Sequence, residues 1–303
     1  MQSEFACDVR AGLSKPQKEL HSKYLYDDLG SALFDAITLL PEYGLTRADE
    51  RLLIRYAPAI PREFSCVAEL GSGSGRKTRP VLEALRGPRY FPIDVSCAAL
   101  DRCHHELAGA AEIVPIEASY LDGLTHVAAH RNGDPLLVLF LGSTVGNFEP
   151  RCRTEFLAQV RSRMRTGDAL LVGFDLLKPV EMLLAAYDDP AGVTAAFNLN
   201  LLGRVNRELD GNFDLRAFCH EARFDPNGHR IEMHLNSRCD QTVKIRRADF
   251  SCTLREGETI WTESSHKFAE DEIPPMARAA GFECETQWID REWPFCESLW
   301  RAS

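Results

Sequence analysis

Residues 68–75 read Ala-Glu-Leu-Gly-Ser-Gly-Ser-Gly, so glycine occupies every second position from Gly71 to Gly75. Glycines that directly follow a strand let the backbone turn tightly and approach a ligand closely, because no Cβ stands in the way. A helix after such a loop presents free backbone N–H groups, and the positive end of its dipole, to a polar or anionic group. The segment therefore predicts a ligand-binding loop, with a purely structural turn as the alternative.

The residues around this loop favour one adenosyl cofactor over another. The fingerprint of NAD-binding loops, GxGxxG, would require a glycine where Arg76 stands. Glu69, two positions before the first glycine, matches the ExGxGxG pattern common among enzymes that use S-adenosylmethionine. Asp94 lies 23 residues beyond Gly71, at the end of the next predicted strand, where a carboxylate accepts hydrogen bonds from both ribose hydroxyls. We therefore predict S-adenosylmethionine as the cofactor, with NAD as the alternative.

Strands and helices must alternate around this loop to position it. The continuous apolar run 136–141 is typical of a central parallel strand that is covered on both faces. Strands that alternate with helices at the observed spacing predict a parallel, doubly wound α/β sheet. Short strands are predicted at 64–70, 89–95, 112–118, 136–141 and 169–176, and helices at 46–56, 77–85, 98–107 and 154–164.

The alternation stops after residue 177 and resumes at residue 267. Residues 178–208 look helical, and residues 214–265 look like antiparallel strands. Residues 224–229, Phe-Asp-Pro-Asn-Gly-His, supply the turn chemistry of a hairpin. The α/β pattern then continues with a helix at 271–280 and strands at 282–288 and 299–301.

This interruption predicts two domains. We expect one domain to combine 47–177 with 267–303, and a second, α+β domain to combine 1–46 with 178–266. Within the N-terminal segment, Ser31 is predicted to cap a helix over 32–37 that ends before Pro41.

Composition and charge narrow the classes of partner. Of the 303 residues, 45% are hydrophobic and 26% are charged, as in ordinary globular proteins. A net charge of −10 repels phosphate backbones, which argues against a nucleic-acid partner. The first ten residues lack the apolar core of a signal peptide, and no apolar run approaches the roughly 20 residues that span a bilayer. These features predict a cytoplasmic protein without a membrane partner.

The cysteine and histidine positions argue against a metal centre. The ten cysteines form no CxxC pair, so we expect free, buried thiols. Cys103-His104-His105 has no further ligand nearby in the sequence. His126 and His130 share the spacing of a zinc-binding helix but lack the glutamate of HExxH. We predict no metal.

Several segments outside the loop are long and specific. They are YLYDDLGSALF (24–34), LPEYGLTR (40–47), FLGSTVGN (140–147), AYDDPAGVTAAFN (186–198), VNREL (205–209), HRIEM (229–233) and TESSHKF (262–268). Together they resemble the histidine-specific Nα-methyltransferases of ergothioneine biosynthesis, the EgtD family. The resemblance runs from about residue 8 to the C-terminus.

The resemblance implies a fold, a reaction and a small-molecule partner. The fold is the Rossmann-like sheet of class I S-adenosylmethionine methyltransferases, to which 47–177 plus 267–303 would belong, with 1–46 plus 178–266 as the substrate-binding domain. The reaction is trimethylation of the α-amino nitrogen of L-histidine to hercynine, which consumes three molecules of S-adenosylmethionine. We expect the enzyme to be a monomer.

The resemblance also implies which residues contact the cofactor. Lys77, in the first turn of the helix after the loop, would reach the cofactor carboxylate. Ser119 and Tyr120 stand where the family usually has Asp and an aromatic residue, and they would accept from the adenine amino group and stack on the ring. The implied cofactor set is Gly71, Gly73, Lys77, Asp94, Ser119, Tyr120 and Gly142.

A second set is implied for the substrate, with Tyr26 near the amino group and Asn147 as the catalytic residues. Asn147 and Tyr187 would hold the carboxylate, and Glu263 and Ser265 would bind the two imidazole nitrogens. Taken alone, Asn147 is also typical of a left-handed turn residue, Tyr187 of a helix end and Glu263 of a solvated strand. The implied substrate-binding set is Tyr43, Asn147, Tyr187, Glu263, Ser264, Ser265, Met233 and Phe34.

One departure leaves the substrate open. Gly44 stands where the family often has a second tyrosine after Pro-Glu-Tyr, and it would widen the pocket. The alternatives are therefore a methyltransferase for another, larger amino acid, an NAD-dependent dehydrogenase, and a binding protein without catalysis. Arg76 argues against the second, and the retained polar set argues against the third.

Overall fold

The computed structural model describes residues 3–303 and divides them into two compact units. We call the residues through Gly44 together with Lys178–His266 the inserted unit, and Leu45–Leu177 together with Lys267–Ser303 the sheet unit. The sequence placed the first boundary two residues later, between 46 and 47, and the other two boundaries at the same positions. The assignment of cofactor and substrate to these parts stays a prediction.

The elements of residues 3–303 are as follows. The α-helices are α1 (Glu4–Leu13), α2 (Asp28–Thr38), α3 (Leu45–Tyr56), α4 (Arg79–Ala84), α5 (Cys97–Glu106), α6 (Tyr120–His130), α7 (Pro150–Ser162), α8 (Val180–Tyr187), α9 (Val193–Leu209) and α10 (Ile273–Ala279). The strands are β1 (Lys18–Glu19), β2 (Cys66–Leu70), β3 (Arg89–Asp94), β4 (Glu112–Ile113), β5 (Ile116–Glu117), β6 (Leu136–Phe140), β7 (Ala169–Asp175), β8 (Phe218–Asp225), β9 (Arg230–Ser237), β10 (Gln241–Ile245), β11 (Phe250–Leu254), β12 (Thr259–His266), β13 (Phe282–Asp290) and β14 (Phe295–Ala302).

The sheet unit is built on one mixed sheet of strand order β13-β14-β7-β6-β2-β3-β4, with β5 also paired to β3. Strands β2 to β7 run parallel, and β14 and β13 add antiparallel at one edge. Strands β2, β6 and β7 are buried along their whole length, because helices cover both faces of the sheet. The predicted doubly wound α/β fold is confirmed.

Two apolar layers hold this sheet. One layer joins α6, α7 and α10 to the sheet around Phe140 and Trp300. The other joins α3, α4 and α5 around Tyr90 and Leu139. Alternate residues of the same strands feed the two layers, which is why these strands read as continuous apolar runs in the sequence.

The inserted unit contains a second sheet of order β1-β12-β9-β8 and a separate hairpin, β10-β11. Strands β12, β9 and β8 are antiparallel, and β1 pairs with β12 in parallel. The predicted turn at 224–229 is confirmed, since β8 and β9 pair across it and the Asn227 N–H donates to Asp225 Oδ1 at 3.0 Å. Helices α8 and α9 pack on this sheet.

Some sequence predictions were wrong in detail. Helix α2 begins at Asp28, and its cap is Asp27, whose carboxylate accepts from the Gly30 N–H at 2.8 Å, rather than Ser31. The strand predicted at 112–118 is two short pieces, β4 and β5. The predicted free thiols are confirmed, but only Cys66, Cys103, Cys252 and Cys296 among the ten are buried. Within residues 3–303, no helix has both the length and the apolar character needed to cross a membrane.

Candidate active site

The glycine-rich loop of the sheet unit follows β2. Gly71, Gly73 and Gly75 have φ values of 75°, 52° and 69°, a left-handed backbone that favours glycine. The Gly71 N–H donates to the Ile93 carbonyl at 2.8 Å, which ties the loop to the end of β3. A Cβ on Gly73 would meet no atom within 4 Å, so this part of the loop faces open space.

Asp94, at the end of β3, lies directly at this loop. Its Oδ2 accepts from the Gly73 N–H at 3.1 Å, and its Oδ1 accepts from the Ser96 N–H at 3.0 Å. The carboxylate is half-buried. The structure therefore brings together Asp94 and Gly73, two residues that the sequence assigned to the cofactor.

Glu69, which distinguished the cofactors in the sequence, points into the protein. It is buried, and its Oε2 accepts from the Thr78 hydroxyl at 2.6 Å and from the Tyr90 hydroxyl. Burial raises the pKa of Glu69 to about 7, although these two hydrogen bonds oppose the shift. Glu69 thus connects the strand before the loop to Thr78, which follows the loop, and to Tyr90 of β3.

Lys77 lies in a 3₁₀ turn, Arg76–Thr78, that precedes α4. The prediction that it occupies the first turn of an α-helix is wrong, since α4 begins at Arg79. Lys77 Nζ is 2.5 Å from Asp49 Oδ2, and the same oxygen accepts from the Gly142 N–H at 3.1 Å. A Cβ on Gly142 would lie 3.1 Å from Lys77 Nζ, so the structure brings Lys77 and Gly142 together through Asp49.

Ser119 and Tyr120 begin α6. Ser119 caps the helix, since its Oγ accepts from the Asp122 N–H at 3.4 Å and donates to the Asp122 carboxylate at 2.7 Å. The Tyr120 ring packs edge-on against Phe140, and its hydroxyl would lie 3.1 Å from a Cβ on Gly71. Tyr120 therefore borders the glycine-rich loop, whereas the Ser119 hydroxyl is occupied by its own helix.

These residues fit S-adenosylmethionine. Gly73 leaves open space, Asp94 offers a carboxylate to ribose hydroxyls, and Lys77 offers an ammonium group whose side chain is 25% exposed. An adenosyl ligand that carries a carboxylate matches this combination of groups.

Asn147 ends a 3₁₀ turn, Thr144–Asn147, after β6 in the sheet unit. The left-handed residue of this turn is Ser143, with a φ of 57°, so the alternative of Asn147 as a left-handed turn residue is wrong. The Ser143 hydroxyl accepts from the Asp175 N–H at 2.9 Å and fixes the turn to β7. Asn147 is half-buried.

The remaining substrate candidates belong to the inserted unit, where a row of aromatic rings joins four of them. Tyr26 meets Phe34 at 5.5 Å between ring centres, Phe34 meets Tyr43 at 6.2 Å, and Tyr43 meets Tyr187 at 6.1 Å, each edge to face. Phe197 contacts both Tyr26 and Phe34 at one end of the row. The five rings thus form one continuous aromatic cluster.

Strand β12 adds the polar candidates to this row. The Tyr187 hydroxyl donates to Ser265 Oγ at 2.7 Å. Glu263 pairs directly with Met233 of β9, so Glu263, Ser265 and Met233 lie on one face of the sheet. Strand alternation places the Ser264 side chain on the opposite face, so the structure does not group Ser264 with the other two.

Two supports of Tyr187 were missed by sequence reasoning. The Tyr187 carbonyl accepts from His220 Nε2 at 2.7 Å. Asn198 Nδ2 donates to the His234 carbonyl at 3.2 Å and to His220 Nδ1 at 2.9 Å, so the His220 ring proton sits on Nε2. Asn198 is part of the 186–198 motif, but nothing in the sequence singles out His220.

The residues weighed as metal ligands in the sequence have the following contacts in the structure. Cys103 is buried beside the Tyr90 hydroxyl, and His130 Nδ1 contacts the His126 carbonyl at 2.7 Å. Within the described part of the chain, no group of three or more potential metal-binding side chains comes together.

Known proteins resemble this chain along nearly its whole length. A family described as histidine-specific, S-adenosylmethionine-dependent methyltransferases matches residues 5–302. A histidine N-alpha-methyltransferase of Mycolicibacterium smegmatis is 40% identical, covering 96% of this chain and 93% of that protein. An L-tryptophan methyltransferase of Psilocybe serbica is 27% identical, covering 97% and 92%.

A solved structure supports the fold alone. A S-adenosylmethionine-dependent methyltransferase from Anabaena variabilis aligns with 93% of both chains at a TM-score of 0.50 and 11% identity. The chain belongs to the family of histidine-specific, S-adenosylmethionine-dependent methyltransferases.

Proposed function

We propose that this enzyme transfers three methyl groups in turn from S-adenosylmethionine to the α-amino nitrogen of L-histidine and forms hercynine, as the first step of ergothioneine biosynthesis. The observation that carries the proposal is the Tyr187–Ser265 hydrogen bond at 2.7 Å. It joins a residue proposed for the substrate carboxylate to a residue proposed for the imidazole ring, as one small amino acid would require.

Methyl transfer to an amine needs no covalent intermediate with the protein. S-adenosylmethionine supplies a methyl group on a positively charged sulfur, and the neutral amine displaces that sulfur in line. The α-ammonium must lose a proton before each transfer, because only the free amine has a lone pair. Positioning then supplies most of the rate enhancement.

Each substrate group has a proposed partner in this chain. Asn147 and Tyr187 bind the carboxylate by neutral hydrogen bonds, for which the Tyr187 hydroxyl proton turns from Ser265 to the substrate. Tyr26 lies near the amino group. Glu263 accepts from one imidazole N–H, and Ser265 bonds the other nitrogen. A site that reads both ring nitrogens rejects analogues that lack them, because its buried polar groups would then stay unpaired. The aromatic row from Tyr26 to Tyr187, with Met233, supports the ring by packing.

The cofactor has proposed partners in the sheet unit. Gly71 and Gly73 let the backbone approach it, Asp94 accepts from the ribose, and Tyr120 stacks on the adenine. Lys77 and Gly142 lie on the side of its carboxylate. Ser119 contributes through the start of α6, since its hydroxyl already bonds Asp122.

The second candidate is a methyltransferase of the same family for another amino acid. Gly44 favours it, because glycine stands where the family often has a second tyrosine and would widen the pocket. The similarity to a tryptophan methyltransferase is consistent with a larger ring in this family's sites.

A panel of amino acids with S-adenosylmethionine tests both candidates. We expect L-histidine to gain mass in steps of one methyl group until three are present, with the intermediates consumed. Product from L-tryptophan or another amino acid, with none from L-histidine, would replace the first candidate with the second. A product that stops at one or two methyl groups would refute hercynine while leaving the reaction class in place.

Glu263→Ala tests the proposed ring contact. We expect the KM for L-histidine to rise by about tenfold or more, because a hydrogen bond to a charged group contributes about 1.5–3 kcal/mol. Glu221→Ala is the matched control, since Glu221 lies on the other face of the same sheet and pairs with Arg223. An unchanged KM in Glu263→Ala would remove Glu263 from the site.

The proposal also includes a cytoplasmic location and a monomeric enzyme. The location is predicted from the sequence features given above, and the monomeric state from the family resemblance. Sedimentation of the purified protein at several concentrations tests the second, and a concentration-dependent increase in mass would contradict it.

A further inference from the structure

Two acidic side chains meet beside the proposed cofactor carboxylate site. Asp49 of α3 is fully buried, and its Oδ2 binds both Lys77 Nζ and the Gly142 N–H, at 2.5 and 3.1 Å. Its second oxygen, Oδ1, is buried and accepts from none of the N–H or O–H donors of the described residues. An unbonded carboxylate oxygen at zero exposure is costly, so it calls for a proton donor.

Glu297 of β14 is placed to be that donor. It is 1% exposed, and its two carboxylate oxygens, like Asp49 Oδ1, are buried and accept from none of the N–H or O–H donors of the described residues. It pairs across the sheet with Gly173, and its Oε1 lies 2.7 Å from the point that a Cβ on Gly173 would occupy. The Gly142 nitrogen is 3.2 Å from the same point. Gly173 therefore leaves the space that the Glu297 carboxyl fills, beside the Gly142 backbone.

The charges around Glu297 favour its neutral form. Burial raises the pKa of Glu297 well above its ordinary value, and the carboxyl groups of Asp49 and Glu69 raise it further, while Lys77 opposes the shift. Two neighbouring carboxylates that are both buried cannot both ionise without a second cation. With one proton between them, the pair carries a single negative charge, which the Lys77 ammonium balances.

We propose that Glu297 is a neutral acid that donates a hydrogen bond to Asp49 Oδ1 and thereby positions Asp49 to hold Lys77 and Gly142 at the cofactor site. The inference rests on the proposed cofactor roles of Lys77 and Gly142. Its consequence is electrostatic: the three side chains Asp49, Glu297 and Lys77 together carry no net charge before the cofactor binds. An ionised Glu297 would instead make the cluster anionic and repel the cofactor carboxylate that Lys77 is proposed to bind.

Binding of S-adenosylhomocysteine to the full-length protein, measured by calorimetry, tests the role. Glu297→Gln keeps a neutral donor of the same shape, so we expect affinity within about twofold of wild type. Glu297→Met removes the donor and leaves Asp49 Oδ1 unpaired, so we expect affinity at least about tenfold weaker. Glu285→Met is the matched control, because Glu285 lies on the neighbouring strand β13, is exposed at the surface and pairs with Arg301.

Infrared spectroscopy tests the proton directly. The wild-type spectrum minus that of Glu297→Gln should contain the C=O stretch of a carboxylic acid, because the substitution removes the protonated group. Equal loss of affinity in Glu297→Gln and Glu297→Met, wild-type affinity in Glu297→Met, or absence of the acid band would each overturn the proposal. If Glu297→Met does not fold, the affinity and spectrum of Glu297→Gln still decide. If the wild type binds no S-adenosylhomocysteine, the cofactor assignment fails, while the acid band still decides the protonation of Glu297.

Discussion

Two alanine substitutions in the glycine-rich loop should separate stability from cofactor binding. Both Gly73 and Gly75 have left-handed backbones, but only Gly75 is crowded. A Cβ on Gly75 would lie 2.6 Å from Cys103 Sγ and 2.8 Å from Leu107 Cδ1, both on or next to α5. A Cβ on Gly73 would meet nothing within 4 Å, in the space that we assign to the cofactor.

The structure sets the size of each effect. The left-handed backbone costs an alanine about 1–2 kcal/mol at either position. Gly75→Ala adds overpacking against Cys103 and Leu107, which typically costs about 1–3 kcal/mol more. We therefore expect Gly75→Ala to unfold at a lower temperature than Gly73→Ala, by about 2–4 °C for each additional kcal/mol.

Binding should follow the opposite order. Gly73→Ala places a methyl group where the ligand would lie, so its affinity for S-adenosylhomocysteine should fall by about tenfold or more, a loss of about 1.4 kcal/mol or more. Folded Gly75→Ala should stay nearer to wild type. Thermal unfolding and calorimetry on the same samples make the comparison. Wild-type affinity in Gly73→Ala, or equal unfolding temperatures for the two variants, would refute this account of the loop.

Three further substitutions test the supports of the site. In Glu69→Gln, the free energy of unfolding should depend less on pH than in the wild type. Burial raises the wild-type pKa of Glu69 to about 7, so the wild type loses unfolding free energy as the pH rises from about 4.5 to 7. The loss is on the order of 3 kcal/mol in all. Denaturant unfolding at about pH 5 and about pH 8 measures this, and the stability of the variant relative to the wild type should be higher at pH 8 than at pH 5. A difference that is the same at both pH values would contradict the raised pKa of Glu69. Tyr187→Phe removes the hydroxyl bonded to Ser265 and should raise the KM for L-histidine about tenfold while S-adenosylhomocysteine binding is unchanged; an equal loss of both would point to misfolding. Asn198→Leu leaves His220 Nδ1 and a buried carbonyl unpaired and should lower the free energy of unfolding by about 2–4 kcal/mol, as urea titration would measure; a loss below about 1 kcal/mol would argue against the network.

The sheet and its cofactor loop were predictable because they depend on local patterns. Apolar runs such as 136–141 are typical of strands covered on both faces, and glycines at 71, 73 and 75 follow the first such strand, β2. The hairpin at 224–229 was equally local, since its turn residues have few other uses. Where the pattern is weak, prediction failed. Helix α6 was missed because Gly123 disfavours a helix, whereas in the structure a Cβ there would meet Ile93 at 2.4 Å.

Long-range partnerships could not be predicted. Asp49 and Lys77 are 28 positions apart, and neither segment contains a pattern that predicts their ion pair. A glutamate such as Glu297 in a terminal strand usually faces solvent. It is buried here because Gly173, on the neighbouring strand, has no side chain to fill the space. Such a contact depends on sheet register, which the sequence alone left open.

Some acidic residues of the family motifs have structural roles, which motif matching cannot distinguish from roles in substrate binding. Asp27 accepts from the Gly30 N–H and from Asn200, and Asp189 accepts from the N–H groups that begin α9. Burial raises the pKa of both carboxyls, but these hydrogen bonds, together with the Arg207 guanidinium at Asp27, outweigh it and hold each pKa below the ordinary 3.8. A carboxylate that is a weaker base than usual is poorly suited to take a proton from an ammonium group. The oxygens of both aspartates are also already bonded, to backbone N–H groups and, in Asp27, to Asn200 and Arg207 as well. The base that frees the substrate amine is therefore to be sought outside these two aspartates, in water or in a group that approaches the amine directly.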